Sequence, residues 1–155
     1  MELIPDFNPS ISVINHDTIP YFIALQKSNV NRIFVNSKGG DILSAIHIAE
    51  ICHTPLIVIK AISSSAVMSL LIKPQFRFVL PNGFLFLHPL TCNKSCLNDD
   101  EFDLFLDFKS KLPHLLSERN PQYSPQTFET WLKGRCFSDT ELEKLFSFSL
   151  AKLDP

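Results

Sequence analysis

Residues 61–71, AISSSAVMSLL, set Ser63, Ser64 and Ser65 in a row inside an otherwise apolar run. A hydroxyl at the start of a helix has two uses. It caps the free amides of the first turn, or, directly after a buried strand, it sits exposed at the helix's positive end as a nucleophile. A cap needs one serine, and the segment supplies three. A second stretch, NSKGG at 36–40, closes on paired glycines. Backbone amides left bare in such a turn suit an anion or an oxyanion. The third, RFVLPNGFLFLH at 77–88, runs apolar up to His88, where a histidine is ordinarily a rim residue. Lys38 reads as a solvated turn lysine rather than the base of a Ser–Lys pair.

These residues need elements to position them. ISVIN (11–15), NRIFVN (31–36) and PLIVIKAI (55–62) read as strands, the last oily enough to be covered on both faces. TIPYFIALQKS (18–28), DILSAIHIAEICH (41–53) and SSAVMSLLI (64–72) carry apolar residues at helical spacing, and Pro74 stops the last. Strand, glycine turn, helix, strand, small-residue turn, helix makes two consecutive βα units, hence a parallel sheet with right-handed crossovers. FRFVLPNGFLFLHPL (76–90) reads as two strands around a Pro-Asn-Gly turn. Residues 97–120 read as a long amphipathic helix, capped by Asn98 or Asp99 and kinked at Pro113. Helices are also predicted over 124–134, opening Ser-Pro, and over 139–153. The fold class is α/β, in a single domain spanning 1–155 with 1–10 as an N-terminal extension.

The chain has 155 residues, 45% hydrophobic, with a formal net charge of −2. That balance argues against nucleic acid or an anionic membrane as partner. No basic-plus-apolar leader and no membrane-length apolar stretch is present. With four cysteines, the expectation is a cytoplasmic protein with reduced thiols. Fourteen phenylalanines suggest apolar surface covered by another subunit. Cys92 and Cys96 form a C-x3-C near His88, but no second Cys/His pair has metal-ligand spacing. Neither metal nor cofactor is expected.

Together, NSKGG (36–40), SSSAVMSLL (63–71) and RFVLPNGFLFLH (77–88) resemble the proteolytic subunit of the Clp protease, the ClpP family of the crotonase-like superfold. That family carries N-S-P-G-G, A-A-S-M-G-A-F-L-L and R-F-x-L-P-N-x-x-x-x-x-H in this order. The resemblance implies a serine peptidase acting on peptides or unfolded proteins inside a homo-oligomeric ring. Aligning the family's paired leucines with Leu70 and Leu71 carries the nucleophile onto Ser65. The base falls on His88, and the oxyanion-hole amides on Gly39 and Ala66. The family's handle helix falls on 97–120. Its aspartate falls on Gly134, in GRCFS (134–138), which leaves Glu129 and Asp139 as replacement acids. Lys38 stands for the family's proline and Val67 for its glycine. The chain begins almost at its first strand, so an ATPase unfoldase partner is not expected.

Two other functions fit the same residues. One is a catalytically silent ClpP-like subunit in a structural or regulatory ring, as Gly134 and Val67 suggest. The other is a crotonase-type acyl-CoA enzyme, which shares the fold and a backbone oxyanion hole.

Overall fold

The computed structural model describes residues 9–90 and 97–152. Most of the N-terminal extension, and Cys92 and Cys96 of the C-x3-C, lie outside them. The first four strands are β1 (Ser10–Ile14), β2 (Ile33–Gly40), β3 (Leu56–Ile62) and β4 (Arg77–Leu87). They pair parallel in chain order. Helices α1 (Thr18–Lys27), α2 (Ile42–Ile51) and α3 (Ser64–Leu71) connect them. Successive crossovers of one hand between adjacent parallel strands put their helices on one face, and α2 packs between α1 and α3 accordingly. The main core fills that layer, from Ile11 and Phe22 through Val58 to Met68 and Leu85. The opposite face carries a small separate cluster around Phe34, Ile57 and Ala151.

Three predicted boundaries differ. The NSKGG segment is not a turn after β2 but its last residues, extended to Gly40 and paired with β1 and β3. The two strands expected over 76–90 are one strand, parallel to β3 at both ends. Its register jumps from Val58↔Val79 to Lys60↔Phe84, so Leu80–Gly83 bulges out instead of reversing the chain. Asn82, at φ 65°, takes the left-handed bend. The predicted 139–153 helix is α6, Asp139–Phe146, and it ends at Ser147 in the left-handed conformation. The chain then forms β6 (Ser149–Leu150), parallel to the first half of β4. The second half of β4 pairs antiparallel with β5 (Arg135–Ser138).

The long helix is α4, Asp99–Arg119. Asn98 is its cap, exchanging bonds with Glu101 in a capping box. Leu112 and Leu116 are buried, whereas Leu104 and Leu106 face solvent. The described phenylalanines divide between buried and partly buried positions. Among the described residues no phenylalanine is exposed. Several enter an edge-to-face cluster of Tyr123, Phe128, Trp131, Phe137 and Phe146 beside α5 (Pro125–Trp131). Arg77 is 1% exposed and has no carboxylate partner among the described residues. Its guanidinium instead donates to the carbonyls of Leu70, Ile72 and Phe146 and to Asn120 Oδ1. It thereby ties the ends of α3, α4 and α6 together, and burial pulls its pKa down to about 10.

Candidate active site

The carboxyl ends of β2, β3 and β4 converge on the serine triplet, where a parallel sheet ordinarily forms its sites. Ser63 follows β3 and precedes α3. Its backbone lies at φ 60°, ψ −121°, outside the regions an L-residue adopts without strain. Three neighbours enforce this. Its amide donates to Phe86 O at 2.9 Å, and its carbonyl accepts the first helical bond from Val67 N. On the other side Gly39 comes so close that a Cβ there would lie 3.2 Å from Ser63 Cβ, 3.1 Å from Ser64 Oγ and 2.9 Å from Ile62 O. Gly40 is equally constrained, against the Ile14 carbonyl. The chain therefore turns sharply from strand to helix, with Ser63 at the apex. Ser63 is half-buried, and its hydroxyl has no hydrogen-bond partner among the described residues.

The other two serines are occupied. Ser64 Oγ donates to Gly40 O at 3.0 Å, tying α3 to the glycine pair. Ser65 is 0% exposed. Its Oγ accepts from Ile62 N at 2.8 Å and lies 2.8 Å from Ile62 O and 3.1 Å from Ser37 O. A hydroxyl sealed in this way closes the turn and cannot meet a substrate. The resemblance carries the nucleophile onto this sealed hydroxyl, whereas the hydroxyl without a partner among the described residues stands two residues earlier, at Ser63. The amide following Ser63 belongs to Ser64, and the amide that the resemblance selects belongs to Ala66; both residues are 0% exposed. Both lie in the first helical turn, whose amides have no intrahelical acceptor.

Gly39 is where the resemblance puts it, beside the apex, but its N–H donates to Ser37 Oγ at 3.0 Å. That donor is satisfied internally. His88 follows β4 immediately and is exposed. The β3–β4 register ends at Ile62↔Phe86, so His88 stands on the strand adjacent to Ser63, its ring 5.6 Å from that of Phe86. The structure brings Ser63, Gly39 and the end of β4 together at the carboxyl end of the parallel strands.

Gly134 precedes β5, whose ladder ends at Leu87↔Arg135, so it lies opposite His88. A Cβ at Gly134 would meet nothing within 4 Å. The replacement acids stand elsewhere. Asp139 sits at the far end of that ladder and accepts from Asn82 N at 2.8 Å. The amides of Asn82 and Thr140 hold its carboxyl below the usual range. Glu129, on α5, lines a cavity of about 450 Å³ that also touches Pro89 and Leu90. Among the described residues no carboxylate bonds to His88, and no cluster of three His, Cys, Asp or Glu could hold a metal.

Beside the glycine pair lies a second cavity of about 320 Å³, lined by Gly40, Ile42, Leu43, Leu90, Leu104 and Phe105. Among the described residues no helix is long and apolar enough to cross a membrane. No protein-family model matches the chain, and no curated protein matches it.

Proposed function

We propose that the chain is a ClpP-like serine peptidase whose nucleophile is Ser63 and whose general base is His88. The observation that carries this reading is the backbone of Ser63 at φ 60°, ψ −121°. A strained strand-to-helix apex that presents a free hydroxyl next to a glycine amide is the arrangement of a nucleophile elbow. A histidine on the adjacent strand supplies the proton acceptor that such a hydroxyl needs. The apolar cavity beside Gly40 suits an apolar side chain of a peptide substrate. The solvent-facing Leu104 and Leu106 of α4 support assembly through the handle-type helix into a homo-oligomer, in the cytoplasm.

A second reading, the silent ring subunit, has its own support. Gly134 offers no carboxylate to His88, and the Gly39 amide is bonded to Ser37. Labelling with a fluorophosphonate probe separates the two. Wild type and Ser65→Ala should label when folded, whereas Ser63→Ala and His88→Ala should not. A folded wild type that fails to label would overturn the peptidase reading and leave the silent subunit. Labelling lost only in Ser65→Ala would return the nucleophile to Ser65.

A further inference from the structure

A serine–histidine pair requires the imidazole in one tautomer, with the proton on the nitrogen facing away from the serine. His88 makes one hydrogen bond among the described residues: its Nδ1 lies 3.1 Å from the carbonyl oxygen of Pro89. A carbonyl oxygen can only accept, so a hydrogen bond at this contact requires the tautomer with the proton on Nδ1 and the lone pair on Nε2. Among the described residues no side chain competes for Nδ1. Gly134 across the ladder has none, and Asp139 is held by Asn82 and Thr140.

We infer that the Pro89 carbonyl takes the place of the missing carboxylate, as the positioning group that fixes the tautomer and orientation of His88. The inference rests on the Ser63–His88 reading and extends it. As Ser63 Oγ bonds to the substrate's carbonyl carbon, its proton passes to Nε2, while Nδ1–H stays on Pro89 O. The Nε2 proton then moves to the departing amine nitrogen as the C–N bond breaks. Water next attacks the acyl carbon, giving its proton to Nε2, which returns it to Ser63 Oγ as the ester bond opens.

A carbonyl supplies orientation without a formal charge, and this sets the size of the effect. In the serine-protease template, replacing the aspartate by its amide costs about 10⁴ in turnover because the tautomer becomes wrong. With the tautomer already right, only the charge is lost. Gly134→Asp strains a backbone held at φ 140° and should cost stability, but in the folded protein it should raise turnover by about tenfold, the difference between a charged and a neutral acceptor.

The test that does not depend on activity is the imidazole nitrogen spectrum. Histidine-labelled protein is observed by ¹⁵N NMR at a pH where the ring is neutral, with His88→Gln identifying the signal. The expected result is a protonated Nδ1 and an unprotonated Nε2. A protonated Nε2 would overturn the inference. A second sample carries the α-hydroxy analogue of leucine at position 90, which turns the Pro89 carbonyl into a weaker ester acceptor. It should shift the tautomer toward Nε2–H and slow fluorophosphonate labelling at least tenfold; an unchanged tautomer would again overturn the inference. A wild type with Nδ1 protonated that never labels supports the positioning contact and overturns the peptidase reading instead.

Discussion

Replacing Ser63 by glycine should make the protein more stable and abolish labelling. The magnitude follows from the turn. Holding a non-glycine residue at φ 60°, ψ −121° costs about 1–3 kcal/mol, which glycine does not incur. Glycine's extra freedom in the unfolded chain takes back about 0.5–1 kcal/mol. The lost hydroxyl has no partner among the described residues, so its removal leaves nothing unsatisfied. The balance is a gain of about 0.5–2 kcal/mol, or roughly a few degrees in Tm for a domain of this size. Urea unfolding followed by circular dichroism measures it. Ser65→Ala is the counterpart. It removes the hydroxyl that serves Ile62 N and the carbonyls of Ile62 and Ser37. It should cost about 1–3 kcal/mol while labelling survives. If Ser63→Gly lowered the urea midpoint, the strain assigned to the apex would be wrong. If it still labelled, the nucleophile assignment would fail.

Ser37→Ala should free the Gly39 amide for an oxyanion. A donor of that kind is worth about 10²–10³ in turnover, so labelling should accelerate. An unchanged or slower rate would mean that the amide is not a masked donor. Arg77→Met should destabilise by about 3–5 kcal/mol, because the acceptors at Leu70, Ile72, Phe146 and Asn120 lose a shared buried donor; a loss under about 1 kcal/mol in urea would refute the hub. Burial pushes the Cys52 thiol up to about 11. Because its folded pKa is raised, its contribution is fully present below pH 9 and is lost as pH rises through 11. About 2–3 kcal/mol should disappear over that window. Cys52→Ala should flatten this part of the pH–stability curve, and an unchanged slope would refute it.

The sequence made the βα alternation legible because a buried parallel strand such as PLIVIKAI has no polar face to hide. It also exposed the helix starts, since Asp41, Asn98 and Ser124 carry caps that depend on local chemistry alone. It failed where tertiary pairing overrides a local signal. Pro81-Asn82-Gly83 has turn composition, yet β3 pairs with both flanks and converts the turn into a bulge. The strand β6 is two residues long and exists only because β4 offers an edge. The same holds at the site. The triplet announced chemistry, and the end of β3 at Ile62 was legible, but which hydroxyl is free depends on the backbone bend at Ser63 and on the partners that Ser64 and Ser65 find on neighbouring strands. Equally, Pro89 is a carbonyl contact, invisible in any reading of side chains.

The close approach at Gly39 and Gly40 bears on how the site would change over evolutionary time. Both glycines, together with Ser64 and Ser65, are needed to close the joint between three strand ends. Selection for folding alone would therefore preserve them after catalysis had been lost. His88 is exposed, and its one hydrogen bond among the described residues is to the residue that follows it, so the fold would scarcely notice its replacement. On the proposed peptidase reading, persistence of the elbow in diverging copies of this chain is uninformative, and the fate of position 88 is what would separate copies that cut from copies that do not.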